Sequence, residues 1–408
     1  MAKFSSLLFV FVFVLSVVSC SKKPEAPALQ EGIWRGVIHM QEHELPFLFE
    51  VSKEQEAYAV NMMNGSEEFE MDNVKVTEDS LMFSLHIFDI DIKAKINGEK
   101  LEGLYIKNYL NDYQLPFTAE FDKTKRFADA KSTTDFDGKW DLTFYSRNGS
   151  TSKGIGIFEQ QENLLTGTIL TPTGDYRYLE GTNTATEFNL NTFDGNHAFI
   201  FEAEQKNDSI FGTFYSGKTF NEPFVGVKNP DIELPDANEL TFLKEGYDKL
   251  AFSFPDLEGN MVSLTDEKYQ NKVVLVQIFG TWCPNCMDET MFYRDWYEKN
   301  KDRGVEIIGL AYEVKDDFDY AKSRVEKMKK NLNVNYDFLI AGTSNKSEAA
   351  KTLPMLNHIM SFPTTIFIDR QGNVRKIHTG FSGPATGDYY TKYVDEFNFF
   401  MDSLLSEK

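Results

Sequence analysis

Val273-Val274-Leu275-Val276-Gln277-Ile278-Phe279-Gly280-Thr281-Trp282-Cys283-Pro284-Asn285-Cys286 joins an apolar run, broken only by Gln277, to two cysteines three positions apart. The run suits a strand covered on both faces. Pro284 suits the first position of a following helix, where a missing N–H is no loss. A C-x-x-C at such a junction brings two sulfurs together at the first helical turn, and the helix N-terminus stabilises the thiolate of the leading cysteine. Cys283 therefore reads as the nucleophile and Cys286, one turn in, as the better shielded resolving thiol. The competing reading is half a zinc site. That site needs four ligands, no second cysteine pair exists, and His358 and His378 would have to supply the rest, so neither a metal nor another cofactor is expected.

Downstream, strands and helices alternate. We expect a strand at Val305–Leu310, a helix around Phe318–Leu332, a strand at Tyr336–Ile340, a short helix near Ser347–Leu356 and a strand at Thr364–Ile368. The turn Arg370-Gln371-Gly372-Asn373 leads to a return strand at Val374–Thr379. Tyr390, Val394, Phe397, Met401 and Leu404 share one face of a last helix. Alternation of this kind means a mainly parallel sheet with helices on both sides.

Residues 244–408, about 40% of the chain, resemble the TlpA/ResA group of membrane-tethered, thioredoxin-like thiol-disulfide oxidoreductases. The motifs are Phe254-Pro255-Asp256-Leu257-Glu258-Gly259, Phe279-Gly280-Thr281-Trp282-Cys283-Pro284-Asn285-Cys286 and Phe362-Pro363-Thr364-Thr365-Ile366-Phe367-Ile368-Asp369. The resemblance implies a thioredoxin-like α/β domain in which Cys283 and Cys286 interconvert between dithiol and disulfide. It makes Pro363 a cis-proline facing them, preceded by backbone at Phe362 that pairs with a substrate peptide. Trp282 and Pro284 join Phe362 and Pro363 as candidate substrate-binding residues. Glu289 matches the acid of the group's C-x-x-C-x-x-E pattern, implied to move protons to and from the thiols, and its i+3 spacing from Cys286 permits that role. The other reading of Glu289 is a solvated acid favoured by the helix dipole. Two features depart from the pattern. Gln277 stands where thioredoxin carries a buried Asp and takes no proton, which shifts acid–base duty to Glu289 or water. Pro284-Asn285 is neither the Gly-Pro of thioredoxin nor the Pro-Pro or Glu-Pro of close relatives.

Upstream the pattern changes to short runs rich in Val, Ile, Phe, Tyr and Thr, such as Phe47 to Val51, Leu81 to Ile87 and Phe199 to Ala203. Asn64-Gly65, Asn97-Gly98 and Asp194-Gly195 punctuate them as turns. Three matches recur in order at nearly one spacing. Gly32-Ile33-Trp34 returns as Gly138-Lys139-Trp140 at an offset of 106, Phe83 to Asp89 as Phe188 to Asp194 at 105, and Pro116-Phe117 as Pro223-Phe224 at 107. This predicts two tandem all-β units, residues 31–122 and 137–228, closed as barrels or packed as sandwiches. His39 and His43 have no third ligand nearby and are not expected to hold a metal.

At the N-terminus, Lys3 precedes a twelve-residue apolar run from Leu7 to Val18, too short to span a bilayer comfortably. It ends in Val17-Val18-Ser19-Cys20, which resembles the lipobox of bacterial lipoproteins. That resemblance implies a signal peptide at 1–19, lipidation of Cys20, a tether at 20–30, and a lipid-anchored place in the bacterial cell envelope facing the periplasm. The alternative is a plain secretory signal with an incidental cysteine. The chain of 408 residues, with 63 Asp+Glu against 42 Lys+Arg, carries a net charge of −21, which repels phosphate backbones and argues against nucleic-acid partners.

The expectation is a multidomain α+β protein, an N-terminal all-β tandem repeat followed by an α/β thioredoxin-like domain. Its expected function is an exported, lipid-anchored thiol-disulfide oxidoreductase working as a reductase. Its partners are disulfide-bearing protein substrates and, by family analogy, a membrane thiol electron donor. Two rivals stand beside it. One is a peroxiredoxin-like thiol peroxidase, against which the Trp-led C-x-x-C argues. In the other, the β half binds a ligand or scaffolds a partner and the redox domain is accessory.

Overall fold

A computed structural model describes residues 29–55, 57–128 and 134–407. The expected signal segment, Cys20 and most of the 20–30 tether lie outside the described residues.

Period-2 burial builds both β units. Along Gly138–Tyr145, Trp140, Leu142 and Phe144 are buried while the residues between them are not. Each unit is a nine-stranded antiparallel sheet among the described residues. In each, the opening strand lies between the second and the last: Gly32–Met40 pairs with His43–Glu54 and Gln114–Phe121, and Gly138–Tyr145 with Thr151–Gln161 and Phe220–Lys228. The repeated motifs fall at equivalent places. Ile38 opposes Phe117 as Phe144 opposes Phe224. Trp34 Nε1 donates to the Gln30 carbonyl at 3.0 Å, and Trp140 Nε1 to that of Phe136 at 2.8 Å, so each buried indole satisfies its one donor on backbone four residues earlier.

The choice between barrel and sandwich falls to barrel-like closure. In the second unit Thr151–Gln161 also pairs with Leu164–Thr171, which closes the circle. In the first, the two ends of the sheet, Glu67–Glu70 and Asp72–Val76, are consecutive pieces of chain flanking Met71, whose N–H donates to Val60. Closure leaves no long edge to recruit another chain. The units also pack on each other, with Phe193 of the second against Phe47 and Tyr105 of the first.

The C-terminal domain has a five-stranded sheet in the order Asp337–Thr343, Val305–Glu313, Val273–Phe279, Thr364–Ile368, Val374–Thr379. Every residue of the central Val273–Phe279 strand is buried. Helices Pro284–Asn300, Phe318–Asn331, Lys346–Thr352 and Asp388–Ser406 accompany the sheet. This is the thioredoxin arrangement. "Mainly parallel" holds for strand direction but for only half of the ladders: Thr364–Ile368 alone runs against the other four strands, so its two pairings are antiparallel and the remaining two are parallel. The connection into the reversed strand carries the short helix Lys346–Thr352. That helix is capped by Asn345, which accepts from Ser347 N and Glu348 N, and it ends at Thr352, ahead of Pro354 and short of the expected Leu356. On the last helix Tyr393 joins Phe397, Met401 and Leu404 as a buried residue, while Tyr390 and Val394 are only partly buried.

Candidate functional site

Cys283 ends the turn after the central strand and is the N-cap of the Pro284–Asn300 helix. Its Sγ accepts the Cys286 N–H at 3.2 Å, taking a donor that the first helical turn leaves free, and donates to the Phe362 carbonyl at 3.4 Å. Phe362–Pro363 is a cis peptide bond. Both cysteines are free thiols here, Cys283 6% exposed and Cys286 wholly buried. Burial, then the hydrogen bond and charge of Cys283, push the Cys286 thiol well up, with the charge of Glu289 adding to this. Trp282 leans edge-on against Phe362, ring centroids 5.6 Å apart, and its indole donates to the Tyr312 carbonyl at 2.9 Å. Gly280 makes room for that indole, since a Cβ there would lie 2.2 Å from Nε1. The helix start, the central strand and the loop before Thr364–Ile368 thus bring Trp282, Cys283, Pro284, Cys286, Phe362 and Pro363 to one place.

Glu289 is not solvated. It is completely buried and accepts from Gln277 Nε2 at 2.8 Å, Thr365 Oγ1 at 3.0 Å and the Tyr293 hydroxyl at 3.2 Å. Burial pushes its carboxyl up to about 7, against the pull of these three donors. Gln277 is therefore an orienting donor beneath the site, where it also meets Thr290 at 3.2 Å. His39 meets Thr118, His43 meets Glu202 and His378 meets Asn238, and no group of three or more His, Cys, Asp or Glu among the described residues is placed to hold a metal ion.

Several site residues escaped the sequence reading. Glu313 is buried at the end of the Val305–Glu313 strand and ties down the turn before Trp282, accepting from Thr281 N at 2.8 Å and Thr281 Oγ1 at 2.9 Å. Burial pushes it up to about 7 as well. A carboxylate closing the apolar stretch 307–312 was the available signal. Arg177, from the second β unit, is 1% exposed and pairs with Asp288 on the active-site helix, with Glu67 of the first unit, and with Asp194 at 3.7 Å. Burial works against its charge, but the three carboxylates more than offset that and raise its pKa, so Arg177 stays a cation. In sequence Tyr176-Arg177-Tyr178 looks like an ordinary polar turn, and nothing marked it. Asn196, equally unmarked, donates to the Trp282 carbonyl.

The similarities to known proteins fall on this domain. Residues 227–392 match the Redoxin family. The thiol-disulfide oxidoreductase ResA of Geobacillus thermodenitrificans is 32% identical over 142 residues, which are 35% of this chain and 73% of that protein. ResA of Bacillus subtilis is 28% identical over 138 residues, 34% of this chain and 69% of that one. Among solved structures, a thiol-disulfide oxidoreductase from Bacteroides fragilis aligns with 36% of this chain and 99% of its own at 21% identity, with a TM-score of 0.27. With a C-x-x-C at the head of the helix and relatives matched over most of their own length, this chain belongs to the ResA family of thiol-disulfide oxidoreductases.

Proposed function

We propose that Cys283 attacks disulfides of protein substrates, that Cys286 resolves the mixed disulfide, and that the protein works as a reductase. The observation that carries this is the position of Cys283 Sγ, which receives the Cys286 N–H and lies against the Phe362 carbonyl beside the cis-proline. In the first step the Cys283 thiolate attacks one substrate sulfur, the substrate S–S bond breaks, and the departing thiolate takes a proton. In the second, Cys286 gives up its proton, with Glu289 as the buried acceptor, and attacks Cys283 Sγ. This releases the second substrate thiol and leaves Cys283–Cys286 as a disulfide. Two electrons pass from the protein dithiol to the substrate, and a membrane thiol donor restores the pair. Trp282, Pro284, Phe362 and Pro363 form the surface on which the substrate backbone lies.

The same proposal places the protein in the bacterial cell envelope, exported by residues 1–19, lipidated at Cys20 and facing the periplasm, on the strength of the lipobox-like Val17-Val18-Ser19-Cys20. Cys283→Ser is expected to abolish insulin-disulfide reduction, and a variant that kept the parental rate would defeat the mechanism. Incorporation of labelled fatty acid in the cell, lost in Cys20→Ala, tests the anchor.

A further inference from the structure

A thiol that attacks protein disulfides needs an open face, and in this structure that face is covered. Pro284 and Pro363 are buried, Phe362 is 7% exposed, and the cover is formed by two turns of the second β unit. The Thr173 carbonyl accepts the Ser361 hydroxyl at 2.8 Å, two residues before the cis-proline, and a Cβ on Gly380 would lie 2.8 Å from the Thr173 carbonyl carbon. Arg177 Nη1 donates to the Pro284 carbonyl at 3.0 Å, and Asn196 Nδ2 to that of Trp282, so the backbone on both sides of Cys283 is held. The Asp175 carboxylate takes the Gly383 N–H at 2.7 Å. The first unit braces these turns from behind: the Tyr105 hydroxyl donates to the Asn196 carbonyl at 3.0 Å, and the Tyr109 hydroxyl to Asn196 Oδ1 at 2.8 Å.

The contact is polar and imperfectly matched. One guanidinium, Arg177, serves Asp288, Glu67 and Asp194, and burial pushes the Glu67 carboxyl up to about 8, so the cluster is costly to keep charged in a nearly dry place. Asn285 Nδ2 and Asp288 Oδ1, both on the active-site helix, are buried and find no hydrogen-bond partner among the described residues. Separation of the unit from the helix lets water reach all of these groups. Such an interface holds a closed state without fixing it permanently, unlike an apolar core.

We propose that the second β unit is a gate over the thiol site. Its turns at residues 171–177 and 194–197 occupy the surface that a substrate polypeptide needs beside Phe362 and Pro363, and a protein disulfide reaches Cys283 only when they lift. The inference rests on the reading of Cys283 as the attacking thiol. Asn196 and Arg177 are the latch, with Ser361 the matching contact on the redox domain.

The test uses the reduced full-length chain. Cys283 is alkylated with iodoacetamide and, separately, with a polyethylene-glycol maleimide, the site identified by peptide mass spectrometry and each rate divided by that of the urea-unfolded chain. In the wild type the bulky reagent is expected to be the more strongly suppressed. Asn196→Ala removes one latch hydrogen bond and is expected to raise the bulky-to-small ratio about fivefold, with a matching rise in insulin reduction. Ser361→Ala acts from the other side of the contact and gives the same answer should Asn196→Ala fold poorly by circular dichroism. Equal suppression of both reagents in the wild type, or an unchanged ratio in folded variants, overturns the gate. Loss of activity in Cys283→Ser with an unchanged ratio removes the gate alone. Retention of activity in Cys283→Ser removes the thiol mechanism beneath it.

Discussion

Replacing Glu289 by Gln tests the buried acid at its source. The carboxyl is completely buried among Gln277, Thr365 and Tyr293, and its pKa stands at about 7 rather than 4.5. At 1.36 kcal/mol per unit, that difference is about 3 kcal/mol. The folded protein keeps the proton to higher pH than the unfolded chain does. This group therefore takes nothing from stability below about pH 4.5, takes progressively more as pH rises toward 7, and takes the full amount above it. The amide has no such dependence. It still accepts from Tyr293 and Thr365, but its NH2 meets the donating Gln277 Nε2, which costs about 1 kcal/mol at every pH. Glu289→Gln is thus expected to be less stable than the wild type near pH 4 by about 1 kcal/mol and more stable above pH 7 by about 2 kcal/mol, with a crossing between. Urea unfolding in reductant, followed by tryptophan fluorescence across this range, measures it, and the pH dependence of Glu313 and other groups cancels in the difference. The same variant is expected to slow resolution by Cys286 roughly 10²-fold while Cys283 attack proceeds, so that a mixed disulfide accumulates. Stability curves that run parallel from pH 4 to pH 8 would refute the placement of a titrating acid beneath the thiols.

Trp140→Ala opens a cavity at the end of the second barrel and strands the Phe136 carbonyl, an expected loss of about 3–5 kcal/mol. Hydrogen exchange should then rise first in Gly138–Tyr145 and its partner strands, and unchanged protection there would count against the indole as the plug of that barrel. Gly280→Ala drives a Cβ into the Trp282 indole and breaks its bond to Tyr312. A displacement of that size beside Cys283 is expected to lower kcat/KM for insulin by roughly 10²-fold, with a shift in tryptophan emission reporting the move. A parental rate would show that Trp282 does not need this seat.

The parts legible in sequence were those set by local rules. The apolar run Val273–Phe279 could only be a covered strand, and Pro284 between two cysteines could only begin a helix. The repeated Gly-x-Trp foreshadowed two sheets of one design, because each indole needs the same backbone acceptor four residues earlier. Less legible was anything that depends on which surfaces meet. Glu289 stood between two readings because a helix with acids on several faces does not say which face is covered. Contact with Gln277, Tyr293 and Thr365 settles its burial. Barrel against sandwich stayed open for the same reason: closure depends on whether Thr151–Gln161 finds Leu164–Thr171 after the sheet has curled, and alternation along one strand carries no record of that.

From the sequence alone came the closely spaced cysteine pair, the helix that begins between them and the β character of the first half, since spacing, proline and period-2 burial act within a few residues of chain. The tertiary structure decided the partners of Arg177, Asn196 and Thr173. These residues lie 86 to 188 positions from the groups they touch, at Pro284, Trp282 and Ser361. A polar turn reads the same whether it faces water or another domain, and only the docking of the second barrel on the active-site helix makes these residues part of the thiol site.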